Sequence, residues 1–230
     1  MQSIKVVIFE FLMVLVLLSC IQMHAAQAGG TTIFRDDFEK GTDALWDHGK
    51  GVDVVSHEGN NRLRMEGQDC WATPRGPGNW SNYTLGVGVQ LVEGTLSVCV
   101  MKTAKGEYQV FFNDKGITLG KWVNDGSAPD PSLSTTPSEG PYVHTGDQGY
   151  QIANLATSGT GLTPGNWHFV EVSAADGHIQ VYVDKELKME YLDPNPQANG
   201  KIEVAVGGSE PGGKGLAYFD EVTVASAGSD

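Results

Sequence analysis

The sequence predicts an all-β fold, an antiparallel β-sandwich, on three observations. From residue 31 onward, apolar and polar residues alternate at period two, and Gly, Pro, Asn or Asp separate the alternating runs. The chain of 230 residues contains 30 glycines and 10 prolines, more helix-breaking residues than a helical bundle would tolerate. No stretch after the first 28 residues carries the apolar stripe of an amphipathic helix.

The alternating runs predict roughly ten to twelve strands, which suits a jelly-roll sandwich. In chain order they cover residues 32–38, 61–66, 82–91, 94–101, 107–112, 117–123, 167–173, 179–183, 187–191, 201–206 and 216–225. In the run 82–91, the positions that face away from the apolar side are small or polar, which predicts a sheet with one buried face.

Two turns give the clearest local signal. Asp176-Gly177 separates two alternating apolar runs, and an Asp-Gly pair in that position is a strong hairpin signal. A second turn is predicted at Asp184-Lys185.

Residues 1–28 have the layout of a secretory signal peptide. Lys5 precedes an apolar run, and small and polar residues follow it up to Ala28, so cleavage is expected before Gly29. The run is shorter than the roughly 20 residues that span a bilayer. An alternative stays open, because residues 17–20 resemble a bacterial lipobox in which Cys20 would carry a lipid anchor. Either version predicts an exported protein, extracellular, periplasmic or on the cell surface, whose domain covers residues 29–230.

The charge balance excludes one class of partner. There are 15 Lys and Arg against 28 Asp and Glu, a formal net charge of −13. Such a chain is not expected to bind a nucleic acid backbone or an anionic membrane surface. A monomer is expected.

Cys70 and Cys99 remain after export and form an even pair. In an exported protein such a pair can form a disulfide. The alternative is that both thiols are small buried side chains that never meet.

Residues 124–166 interrupt the pattern of strands. This segment is rich in Gly, Ser, Thr and Pro, and a loop of that length is usually functional or disordered. A short strand is possible at 149–153.

The order of these motifs resembles the concanavalin A-like lectin and glucanase superfamily. The resemblance rests on segments 34–38, 82–91, 164–172, 179–183 and 218–224, together with Trp46. Laminin-G-like modules and three-keto-disaccharide hydrolase-type domains are related to it. The resemblance implies two curved sheets packed face to face, with glycans bound on the concave face.

The catalytic motifs of the superfamily are missing. Its retaining glucanases carry Glu-x-Asp-x-x-Glu on one strand, and no Glu in this chain is followed two residues later by Asp. The sequence therefore predicts an exported, non-catalytic carbohydrate-binding or adhesion-type domain. The alternatives are a glycoside hydrolase of the three-keto-disaccharide hydrolase type and a cell-surface structural module for protein contacts.

Aromatic side chains are the natural candidates for stacking on sugar rings. Trp122, Tyr142 and Tyr150 lie at or within the 124–166 segment, and they are the predicted ligand-binding residues. Trp46 and Trp167 are predicted to lie in the core. The further candidates are Trp71, Trp80 and Tyr108.

The resemblance also implies a structural calcium ion that joins the first and last strands. Asp37, before Phe38, and Asp220, within the last strand, match the positions of its ligands. Calcium needs six to eight oxygens, so backbone carbonyls and waters would complete the shell. The alternative is that both side chains cap strand ends or pair with Lys and Arg.

Overall fold

The computed structural model describes residues 30–41, 44–123, 151–208 and 213–227, with residues 151–153 described by their backbone only. Across these ranges the chain forms fifteen β-strands and no helix. The strands are β1 Thr32–Asp36, β2 Trp46–His48, β3 Val52–His57, β4 Asn60–Gly67, β5 Asp69–Pro74, β6 Tyr83–Glu93, β7 Thr95–Thr103, β8 Gly106–Phe112, β9 Ile117–Val123, β10 Gln151–Ser158, β11 Trp167–Ala175, β12 His178–Val183, β13 Glu186–Leu192, β14 Lys201–Gly207 and β15 Gly215–Ser226.

The strands form two antiparallel sheets, which confirms the predicted jelly-roll sandwich. Sheet A has the order β13-β12-β11-β6-β15-β4-β3, and β1 also pairs with β15. Sheet B has the order β10-β9-β8-β7-β14-β5-β2. The prediction of ten to twelve strands was too low, because β2 is three residues long and β3 lacks a regular alternation.

The core lies between the sheets and is made by alternate side chains. On β6, Tyr83, Leu85, Val87 and Val89 are fully buried in it, as the alternation predicts. Trp46 is also fully buried, which confirms its predicted place in the core.

Both predicted turns are tight hairpins. Asp176 and Gly177 have φ angles of 49° and 80°, and Asp184 and Lys185 have φ angles of 52° and 70°. Two consecutive positive φ angles are the signature of a type I′ turn, whose twist matches that of the flanking strands.

The segment between β9 and β11 is not one continuous loop. Residues 151–158 form β10, which pairs with β9 along its length, so the predicted loop over 124–166 is interrupted by a strand. The short strand predicted at 149–153 therefore exists in a longer form. Residues 124–150 lie outside the described ranges, as do residues 1–28, on which the signal peptide and lipobox predictions fall. No helix that is long and apolar enough to span a membrane occurs in the described part of the chain.

The structure does not form the possible Cys70–Cys99 disulfide, and both thiols are free and buried. Cys70 belongs to the core between the sheets. Cys99 lies opposite Glu203 of β14 and Gln109 of β8, on the outer face of sheet B. Strand β14 separates β5 from β7, so the two thiols lie on opposite faces and on non-adjacent strands.

Candidate functional site

A groove of about 440 Å³ crosses the outer face of sheet B, and we call it the sheet-B groove. Strands β5, β14, β7, β8 and β9 supply its floor and walls, since they are consecutive neighbours in the sheet. Its lining includes Gln68, Asp69, Trp71, Thr95, Ser97, Gln109, Phe111, Trp122, Glu203 and Ala205.

The floor follows from the register of the strands. Phe111 lies opposite Ser97, Ser97 opposite Ala205, and Ala205 opposite Trp71. This row therefore has two small side chains at its centre and an aromatic ring at each end. The arrangement leaves a trough between the exposed Trp71 ring and the largely buried Phe111 ring.

Trp71 forms one wall and is 39% exposed, an unusual exposure for so large an apolar side chain. Gly49 lies directly against its indole, because a Cβ added at Gly49 would be 2.9 Å from Trp71 Nε1. The Gly49 N–H also donates to the Trp71 carbonyl at 2.9 Å. A glycine at this position therefore leaves room for the indole, which a larger side chain would displace.

Trp122 lines the groove from β9, four strands away from Trp71. With neighbouring strands about 4.8 Å apart, the two indoles lie on strands separated by about 19 Å. The groove thus offers an indole near each side of its width, and sugar rings stack on such surfaces.

Polar groups lie between the aromatic walls. Gln109 Nε2 donates to Ser97 Oγ at 2.9 Å, which fixes the orientation of the amide in the floor. Glu203 adds a carboxylate next to this pair. These groups can exchange hydrogen bonds with the hydroxyls of a sugar.

Glu203 belongs to an ionic triad at one end of the groove. Lys102 Nζ donates to Glu107 Oε2 at 2.8 Å and to Glu203 Oε1 at 3.1 Å. Burial raises the pKa of Glu203 to about 7, although Lys102 acts in the opposite direction. Burial alone would lower the pKa of Lys102, but the acidic groups around it raise that pKa above its usual range.

Cys99, Glu107 and Glu203 place a thiol and two carboxylates within 4.8 Å of one another. Among the described residues they are the only group of three potential metal-ligating side chains so close together. However, the ammonium of Lys102 already lies against both carboxylates and supplies the positive charge there. Burial also raises the pKa of the Cys99 thiol well above its usual range, so the thiolate that a metal requires is disfavoured. The triad therefore fits an internal ion pair better than a metal site.

Of the predicted ligand-binding residues, the structure places Trp122 in the groove. Tyr142 and Tyr150 lie outside the described residues. Trp71, one of the further aromatic candidates, lines the groove as well. Sequence reasoning missed Phe111 and Glu203, because nothing along the chain shows that β14 lies between β5 and β7.

Two other aromatic candidates serve the core or a network behind it. Tyr108 is fully buried and donates its hydroxyl to Asp193 at 2.5 Å. Trp80 packs against the core beside Phe34 and Tyr83. Neither side chain lines the groove.

Trp167 is not a core residue, contrary to its prediction. It lies opposite Gln90 on the outer face of sheet A, where the Arg62 guanidinium stacks 4.2 Å from its ring. Its indole N–H donates to Glu58 at 3.1 Å. Side chains alternate between the two faces along a strand. Trp167 precedes the buried Val170 and Val172 by an odd number of positions, so it lies on the opposite face of β11.

The two predicted calcium ligands have protein partners. Asp220 is 8% exposed, accepts a hydrogen bond from Asn60 Nδ2 at 2.8 Å and lies 3.6 Å from Arg62 Nε. The Asp37 side chain accepts a 3.3 Å hydrogen bond from the backbone N–H of Glu39. Asp36, the residue before Asp37 and the last residue of β1, is the one whose carboxylate is buried. Calcium binding by Asp37 and Asp220 stays a prediction.

No protein-family model and no curated protein matches this chain by sequence. Solved structures do match by fold. The carbohydrate-binding module CBM66 from Bacillus subtilis superposes with a TM-score of 0.54 at 14% identity, covering 79% of this chain and 95% of that one. A Bacillus licheniformis β-glucanase gives 0.55 at 14% identity, covering 86% and 99%. A glycoside hydrolase family 16 enzyme from a Bacteroides ovatus mixed-linkage glucan locus, in complex with an oligosaccharide product, gives 0.57 at 15% identity, covering 84% and 99%.

These matches cover nearly the full length of the solved chains. The fold is therefore the jelly-roll sandwich of the concanavalin A-like lectins and glucanases, as the sequence motifs indicated. At such low identity the likeness concerns the fold alone.

Proposed function

We propose that the protein is an exported carbohydrate-binding domain that holds a glycan in the sheet-B groove. The single observation that carries this proposal is the trough between Trp71 and Phe111, with Trp122 on the far strand and polar groups between them. Exposed tryptophan on a rigid sheet offers flat stacking surface at little entropic cost. A fold that hosts glycan-binding proteins supports the same proposal by analogy.

The test is binding of soluble neutral polysaccharides, mixed-linkage glucan and galactomannan, by affinity electrophoresis and titration calorimetry. Removing one stacked aromatic ring should cost on the order of 1 kcal/mol or more, about a fivefold loss of affinity. We expect that loss for Trp71→Ala and for Trp122→Ala. Trp167→Ala is the matched control, because it removes the same side chain from the other sheet.

If all three variants bind the polysaccharides with the affinity of the wild type, the glycan site lies outside the groove. No binding to any polysaccharide would favour the third possibility, a structural module for protein contacts.

Cleavage of the bound glycan is a second candidate function, and one observation favours it. Glu107 and Glu203 place carboxylate oxygens within 4.8 Å, near the separation of roughly 5–5.5 Å between the carboxyls of retaining glycosidases. Against it, Lys102 holds an oxygen of each carboxylate, so neither is free to attack a sugar. New reducing ends released by the wild type and not by Glu203→Gln would establish cleavage.

A further inference from the structure

The sheet-B groove carries charge of one sign. The described lining contains two carboxylic acids, Asp69 and Glu203, and it contains no Lys or Arg. Asp69 is exposed at the start of β5, opposite Gly207 of β14. Glu203 lies on β14 next to β5, so the two acids lie on adjacent strands.

Three lysines on the strands of sheet B have hydrogen-bond or ion-pair partners. Lys102 is bound by both Glu107 and Glu203, so this triad sums to one negative charge when both acids are ionised. Lys121 pairs with Asp193 at 2.6 Å, and Lys201 Nζ donates to the Pro74 carbonyl at 3.0 Å. Acids therefore neutralise Lys102 and Lys121, and the Lys201 ammonium is held by a neutral carbonyl.

One cation stands next to the groove, since Lys214 is exposed and directly follows Gly213 of the lining. Against this single charge, the chain as a whole carries a formal net charge of −13 and repels anions.

We propose that the groove selects uncharged glycans and rejects those that carry uronate or sulfate groups. This inference rests on the proposed function and names the substrate class of that site. A neutral sugar donates its hydroxyl hydrogens to Asp69, Glu203 and the amide oxygens, whereas a carboxylate or sulfate meets acceptors of its own charge. Because the described lining holds two acids and no Lys or Arg, the anionic ligand loses the affinity that its rings gain by stacking.

The experiment compares each neutral polysaccharide with a derivative of the same backbone. Mixed-linkage glucan and galactomannan are titrated beside their C6-carboxylated forms, at low ionic strength and about one unit above neutral pH, where Glu203 is ionised. We expect at least about tenfold weaker binding of each carboxylated form.

Charge-neutral variants assign that discrimination to the groove. In the double variant Asp69→Asn with Glu203→Gln, the ratio of affinities should fall at least about fivefold toward one. The matched control is Glu186→Gln with Glu190→Gln, which changes net charge equally on exposed β13 of sheet A and should leave the ratio unchanged.

The outcomes separate this inference from the proposed function. Equal binding of neutral and carboxylated polymers, weakened alike by Trp71→Ala, refutes charge selection and leaves glycan binding in the groove intact. An equal change of the ratio in both double variants also refutes it, since the discrimination then comes from overall charge. No binding of any polymer refutes the proposed function and this inference together.

Discussion

Replacement of Asp36 by Ala should destabilise the fold strongly, because this carboxylate satisfies two buried donors. Asp36 is 6% exposed, and its Oδ2 accepts a 2.7 Å hydrogen bond from the indole N–H of Trp46. Its Oδ1 accepts a 3.0 Å hydrogen bond from the backbone N–H of Phe38. Trp46 and Phe38 are both fully buried, so water cannot replace the lost oxygens.

The magnitude follows from the count of orphaned donors. Each buried donor left without an acceptor costs about 1–3 kcal/mol, so the two donors of Asp36→Ala should lower the free energy of unfolding by about 2–6 kcal/mol. Asp36→Asn keeps one acceptor oxygen and should cost roughly half as much. Should the alanine variant fail to fold, the asparagine variant still measures the effect.

Asp37→Ala is the matched control on the adjacent residue. Asp37 accepts one 3.3 Å hydrogen bond in an exposed position, and its loss should change stability by about 0.5 kcal/mol or less. Urea denaturation followed by tryptophan fluorescence and circular dichroism, with a chelator present, gives the free energies. If Asp36→Ala stays within about 1 kcal/mol of Asp37→Ala at an unchanged m-value, the two buried hydrogen bonds do not stabilise the fold as argued.

Three further predictions concern pH, calcium and thiols. Because burial raises the pKa of Glu203 to about 7, the folded state keeps this proton longer than the unfolded chain does. Stability should therefore fall as pH rises from about 4.5 to 7, by up to roughly 3 kcal/mol, and urea melts of Glu203→Gln should show a flatter decline; an equal decline in both proteins contradicts this. If Asp37 and Asp220 bind calcium, millimolar calcium should raise the melting temperature over that in chelator, and Asp220→Ala should remove the increase. Identical melting of the wild type in both buffers refutes that site. Cys70 and Cys99 are buried, and burial raises the pKa of both thiols, so they should resist a thiol reagent until urea unfolds the chain. A disulfide-linked peptide in mass mapping would overturn this.

Part of the candidate site could be predicted from sequence. Trp122 stood out because it lies at the end of the alternating run 117–123, just before a long segment of turn residues. The structure places it in the groove. Phe111 looked like an ordinary apolar strand residue, since burial on an outer face leaves no mark along the chain. The ion pair between Lys102 and Glu203 could not be predicted from the sequence, because the two residues lie on distant segments of the chain.

The sequence by itself determined most strands of this protein and the face that most of their residues occupy. Side chains alternate sides along a strand, so the period-two pattern assigns Leu85 and Val87 to the core, and Asp176-Gly177 specifies a hairpin through local backbone preferences. Strand order obeys no such local rule. Only the tertiary structure inserted β14 between β5 and β7, separated Cys70 from Cys99, and lined up Trp71 with Phe111 across two small residues. That order depends on which sheet edges pack best over the shared core, a long-range balance in which every strand takes part.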